Sequence, residues 1–145
     1  MTYQGIALLK HEGGIIPRSG ENPELSAWAH GKGAARIVLA HGCFDLLHLG
    51  HIRHLQEARA LGDRLVVSVT PDVHVGKGIG RPVFSAVQRV EALKALDCVD
   101  EAFINDGPDA VAAINRVKPA VYVKGVDYAD RKDETLAREI AAVEA

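Results

Sequence analysis

The sequence predicts an α/β fold, an open parallel sheet of four to five strands with helices on both faces. Two observations carry this. Short, nearly continuous apolar runs, IVLA within Arg36–Ala40 and LVVSV within Arg64–Thr70, suit strands buried on both faces. Between and after them, apolar residues recur at helical spacing, and strand, helix and strand from Arg36 to Thr70 fit the roughly 30 or more residues of one βαβ unit.

The elements follow in order. Residues 1–22 read as a breaker-rich lead-in in which GIALL has the composition of a short strand or helical turn, and Pro23–His30 is predicted as a short helix. Residues 1–34 are therefore set apart from a domain over 35–145. Arg36–Ala40 is the first sheet strand. His51–Leu61 is a helix carrying Ile52, Leu55, Ala58 and Leu61, with Gly62 as its stop. Arg64–Thr70 is the second strand, and Pro71–Phe84 a glycine-rich loop. Ser85–Leu96 is a helix with Ser85 as N-cap and Val87, Val90, Leu93 and Leu96 facing inward. Glu101–Asn105 is a third strand, Asp109–Val117 a helix, Ala120–Val123 a fourth strand and Asp133–Val143 a last amphipathic helix with Leu136, Ile140 and Val143 as its stripe.

Composition narrows the function classes. The chain has 145 residues, 48% hydrophobic and 25% charged, with net charge −2 and two cysteines. It has no basic footprint for nucleic acid, no apolar run long enough to span a bilayer and no cysteine framework. The N-terminus lacks a signal-peptide pattern, so a cytoplasmic protein without nucleic-acid or membrane partners is expected.

The chemistry concentrates in HGCFDLLHLGH, between the first strand and the first helix. Gly42 sits at the strand end, and His48 and His51 flank Gly50 where the helix begins. Ligands of open α/β sheets bind beyond the carboxyl ends of the strands, and a helix N-terminus there offers unpaired N–H groups and partial positive charge to a phosphate. Gly50 lets backbone approach such a group, and two imidazoles can donate to its oxygens, more strongly when protonated. The backbone of Gly42, Cys43 and Phe44 would complete a phosphate cradle. On the following loop, Lys77 and Arg81 are two cations among three glycines, which by themselves read as a solvated basic loop and, beside a phosphate site, as a clamp on anionic groups. A zinc site of Cys43, His48 and His51 is the competing reading of the same residues, lacking a convincing fourth ligand. A dehydrogenase lacks its G-x-G-x-x-G.

GCFDLLHLGH, KGIGRPV (Lys77–Val83), QRVEALKALDCVDE (Gln88–Glu101) and VKGVDY (Val123–Tyr128) together resemble the cytidylyltransferase-like nucleotidyltransferases, whose hallmark is His-x-Gly-His. The resemblance is closest to the domain that adenylylates a heptose 1-phosphate, and more distant to glycerol-3-phosphate cytidylyltransferase. It implies a Rossmann-like sheet and transfer of a nucleotidyl group from ATP or CTP, with Mg²⁺, to a phosphorylated sugar or polyol with loss of pyrophosphate. It further implies catalytic roles for His48, His51 and Lys77, and nucleotide contacts from Gly42, Cys43, Phe44, Gly50, Arg89, Lys124 and Asp127. Asp45 and Arg81 would serve the acceptor substrate, Asp45 by orienting the loop or a substrate hydroxyl. Arg89 is expected to project from the outer side of its helix. The family's later Ser/Thr-rich motif does not occur before Ala145, which suggests a truncated domain, an exposed last strand and self-association into a homo-oligomer, and leaves a non-catalytic nucleotide-binding module as the alternative.

Overall fold

The two most apolar runs become the two central strands of one sheet. A computed structural model describes residues 6–10, 35–125 and 134–144, with backbone alone for 6–10, 124–125 and 134–136. The strands are β1 (Ile6–Lys10), β2 (Ile37–Gly42), β3 (Arg64–Val69), β4 (Glu101–Ile104) and β5 (Val121–Gly125). The helices are α1 (Leu49–Arg59), α2 (Ala86–Lys94), α3 (Val111–Val117) and α4 (Glu134–Glu144). The sheet order is β1-β5-β2-β3-β4. β2, β3, β4 and β5 are parallel, with Val38 opposite both Leu65 and Val121, and Val66 opposite Glu101.

Alternation along the strands assigns the two layers. Val38, Ala40, Leu65, Val67, Val121 and Val123 join Leu55 and Ala58 of α1 and Leu93 of α2 in one core. Ile37, Leu39, Val66 and Tyr122 point the other way, onto Ala113, Ile114 and Val117 of α3 and Ala142 and Val143 of α4. Strands buried on both faces explain why the sequence shows runs rather than alternation of apolar and polar residues.

Three expectations change. The lead-in contributes β1, which runs antiparallel along β5 with Ile6 opposite Gly125 and Lys10 opposite Val121. Among the described residues the last parallel strand therefore has its outer edge paired by β1, not left open as expected. The helix predicted from His51 starts two residues earlier, because His48 caps it. In α2 the expected Val90, Leu93 and Leu96 do pack on the core, but Val87 is 67% exposed and Ala86 and Arg89 turn inward as well. The predicted helix 23–30 lies outside the described residues.

Gly62 lies past the helix it was expected to stop, which ends with Ala60 as C-cap. A Cβ there would stand 2.6 Å from the Arg36 carbonyl oxygen and 2.8 Å from Val38 Cγ2. Gly62 is thus demanded by the close return of the chain onto β2, a contact also held by Arg36 N donating to Asp63 at 2.7 Å.

Candidate active site

The order of the parallel strands places the switch of chain direction between β2 and β5, where both neighbours of β2 lead their loops to the same edge. The loop leaving β2 carries the histidine motif to this edge. Ser68, buried in β3, pairs with Nδ1 of His41 at 2.8 Å and ties the ends of the two central strands together.

His48 is the N-cap of α1 and has extended backbone. Its Nδ1 accepts from Gly50 N at 3.0 Å, and His51 Nδ1 accepts from His48 N at 3.4 Å, a reciprocal capping box built from two imidazoles. The rings stack, centroids 3.9 Å apart and 30° between planes. The edge of Phe44 abuts His51 at 5.5 Å. Phe44 is buried and sits at φ 51°, a left-handed conformation costly for a bulky residue, and such strain is concentrated at functional sites. Gly42 makes room for that ring: a Cβ on it would lie 2.9 Å from Phe44 Cε2. The histidine pair and the glycine preceding it are therefore one packed unit.

Two buried groups fix the loops around this unit. Asp45, with no side-chain exposure, accepts from Arg81 Nε at 2.6 Å, Val83 N at 2.8 Å and Phe84 N at 2.9 Å. Burial pushes its pKa up, but the bonds from Phe84, Val83 and Arg81 and the Arg81 charge outweigh this and hold it at about 2. Arg89 is 1% exposed. It donates to Phe84 O at 3.0 Å, Cys43 O at 2.8 Å and Asp72 Oδ1 at 2.7 Å. Asp72 also accepts from Ala86 N at 2.8 Å, anchoring the start of the loop to α2. The loop bearing Lys77 is thus bolted at both ends, by Asp72 and by Asp45, and exposed between them, with Gly78 and Gly80 at φ 102° and 79°.

The expected site residues divide accordingly. Gly42, Cys43, Phe44, Gly50, His48 and His51 come together at the end of β2. Lys77 is exposed, and close enough that its charge lowers the pKa of His51. The guanidinium of Arg81 is bound to buried Asp45, whose oxygens also accept from Val83 N and Phe84 N of the same loop. Arg89 is not on an outer helix face; its buried guanidinium donates to Asp72 and two backbone carbonyls. Cys43 is buried, and among the described residues no three His, Cys, Asp or Glu side chains are arranged to hold a metal ion. The side chain of Lys124 and the whole of Asp127 lie outside the described residues. Asp72 was not singled out from the sequence; a carboxylate two residues beyond a strand end was the available signal. A mostly apolar cavity of about 400 Å³ is lined by Phe44, Asp45 and Arg89 together with Leu47, Phe84 and Ala92, and by neither histidine.

The profile of the family described as Cytidylyltransferase-like matches residues 39–144. The chain belongs to this family of nucleotidyltransferases. The cytidylyltransferase-like domain is 50% identical over 97 residues to the Bifunctional protein HldE of Methylococcus capsulatus, covering 66% of this chain and 20% of that protein. It is 41% identical over 107 residues to the HldE of Geobacter sulfurreducens, covering 72% of this chain and 21% of that one. The match thus spans about a fifth of the length of these relatives. Among solved structures, the lipopolysaccharide core biosynthesis protein from Thermoplasma volcanium matches with TM-score 0.53 and 38% identity over 59% of this chain and 70% of that one. The cytidylyltransferase-like domain has no helix, among its described residues, long and apolar enough to cross a membrane.

The buried carboxylate gives one prediction directly. The pKa of Asp45 is lowered on folding from 3.8 to about 2, so its contribution is complete above pH 4 and lost as pH falls between those values, about 2 kcal/mol in all. Asp45→Asn should be less stable than the parent at neutral pH, and the gap should close in acid. Urea unfolding across that range measures it; a gap that did not change with pH would place the stabilisation elsewhere.

Proposed function

We propose that this domain transfers a nucleotidyl group from a nucleoside triphosphate to a phosphorylated sugar, with release of pyrophosphate. The acceptor phosphate oxygen attacks the α-phosphorus, the bond to the bridging oxygen of pyrophosphate breaks, and no protein nucleophile is needed. Such a reaction asks mainly for in-line positioning and for donors aimed at oxygens that gain charge. The observation that carries the reading is the stacked pair of imidazoles at the start of α1, each with its Nδ1 engaged by the helix backbone, which turns Nε2 of His48 to phosphate oxygens.

The parts then have distinct tasks. The backbone from Gly42 to Phe44 and the N-terminus of α1 receive phosphate. Lys77, on its anchored and otherwise exposed loop, meets the charge of the phosphates. Asp45, Arg81, Asp72 and Arg89 hold the two loops in register and reach the substrates only through them. Mg²⁺ enters with the triphosphate, carried by its oxygens and by water. The carboxylate within the motif fits that assignment, since both oxygens of Asp45 already accept from protein donors. Similarity to the HldE proteins favours ATP and a heptose 1-phosphate, giving an ADP-sugar.

Calorimetry with Mg-ATP and Mg-CTP, followed by a pyrophosphate-coupled assay with heptose 1-phosphate and glycerol 3-phosphate, tests this. ATP with the heptose phosphate should give pyrophosphate. Nucleotide binding with no pyrophosphate from any pairing would favour a non-catalytic nucleotide-binding module.

The loop cations should part company in that assay. Lys77→Ala should raise KM and shift stability by no more than about 0.5 kcal/mol, because the side chain is exposed. Arg81→Ala strips the charged partner from a buried carboxylate and should cost on the order of 2 kcal/mol. Equal thermal stability of the two variants would show that Arg81 does not stabilise buried Asp45.

A further inference from the structure

We propose that His48 and His51 meet the phosphates as neutral imidazoles, held in the Nε2–H form by the cap of α1, so that the formal positive charge at this end of the site comes from Lys77. What the Nε2 atoms face rests on the nucleotidyl-transfer reading; the protonation state rests on the cap geometry alone.

A ring nitrogen whose lone pair accepts a hydrogen bond has no place for a proton. His48 Nδ1 accepts from Gly50 N at 3.0 Å, and His51 Nδ1 from His48 N at 3.4 Å. Protonating either ring turns that acceptor into a donor facing another donor, which breaks the capping box and frays the start of α1. Each imidazole is thereby assigned the tautomer whose proton is on Nε2, the nitrogen turned away from the helix backbone.

Every neighbouring charge acts in the same direction. The rings lie 3.9 Å apart, so a proton on one opposes a proton on the other. Lys77 faces them from the loop after β3, and His54 stands one turn further along α1. The N-terminus of α1 adds its own partial positive charge. The carboxylate in the motif, Asp45, directs its bonds to Arg81, Val83 and Phe84 instead. Burial, followed by the charges of His48, Lys77 and His54, lowers the pKa of His51 from 6.5, against the smaller opposing effect of a hydrogen bond that its ring donates to the Leu46 carbonyl. A group depressed in this way is neutral at neutral pH, and the stability it brings is lost as pH falls below the unfolded value.

The consequence for binding differs from that of an imidazolium pair. Phosphate binding should neither require a proton nor take one up, and mild acid should weaken the site by uncapping α1 rather than strengthen it by adding charge.

Nitrogen-15 NMR of the imidazoles, on the 145-residue chain with and without Mg-ATP, tests this. Both rings should show a protonated Nε2 and a bare Nδ1 at neutral pH in both states. Either ring as imidazolium, or with its proton on Nδ1, in the nucleotide complex would overturn the proposal. A second arm uses two substitutions. His48→Gln places an amide N–H near the position of Nε2–H without a titratable proton, whereas His48→Asn restores only the capping acceptor. Turnover in the Gln variant should fall no more than about tenfold, and in the Asn variant about a hundredfold. Equal losses would contradict a neutral donor. Rings in the Nε2–H form in a chain that never releases pyrophosphate would uphold the protonation state and refute nucleotidyl transfer.

Discussion

Replacing His48 or His51 by alanine should lower kcat by about a hundredfold or more, the loss produced by removing one preorganised donor from a charge-developing transition state. The two variants should differ in what else they lose. His48 is the N-cap of α1, so His48→Ala also removes a cap worth about 1 kcal/mol, while His51 supplies the longer and weaker bond of the box. Assayed well below the melting temperature, both chains remain folded and the rate loss belongs to the lost Nε2 donor. If either variant turned over within a few-fold of the parent, with pyrophosphate still forming, the paired imidazoles would not be the catalytic donors.

Arg89→Ala should have the largest effect on stability, on the order of 3 kcal/mol or more. The side chain is 1% exposed, and its loss leaves the Cys43 and Phe84 carbonyls without their donor and empties a large volume between α2 and the two loops. Asp72, half exposed, keeps its bond from Ala86 N and is rehydrated, so it contributes less to the penalty. For a domain of this size that amounts to a fall in Tm of about 6 °C or more. Arg89→Lys should recover little, since an ammonium cannot span three separate acceptors as a planar fork does. A substitution that left Tm unchanged while raising KM for the triphosphate would show instead that Arg89 reaches the nucleotide directly.

The contrast between Arg89 and His48 shows what the residues disclose before the fold is known. The βαβ unit and the histidine pair were legible because they are local. Strand runs, a glycine at the strand end and a helix start fall within Arg36–Thr70, and cap and catalytic donor are the same residue. Arg89 was misplaced because a charged residue beside the apolar stripe of Val90, Leu93 and Leu96 reads as solvent-facing, and only the tertiary acceptors at Cys43, Phe84 and Asp72 turn it inward in place of Val87. Arg81 was likewise read as a free cation, since nothing nearby in sequence announces that Asp45, 36 residues earlier, is its partner. β1 joins β5 across most of the chain's length, a pairing that a run of five residues cannot signal by itself. Local chemistry was visible, and the long-range bonds that aim it were not.

The same bonds explain why one strained, fully packed turn lies beside an exposed loop. Phe44 at φ 51° persists because Gly42 admits its ring, Arg89 fixes the carbonyl of Cys43 before it, and Asp45 after it is pinned to residues 81–84. Rigidity is thereby concentrated at the histidines, and freedom is left to the glycine loop that carries Lys77.

The most direct test is the fate of the α-phosphate. With ATP labelled at the α-phosphorus, Mg²⁺ and heptose 1-phosphate, the label should appear in an ADP-sugar in step with unlabelled pyrophosphate, and His48→Ala should abolish both together. Label remaining in ATP or appearing in ADP, with orthophosphate released instead of pyrophosphate, would contradict nucleotidyl transfer at this site.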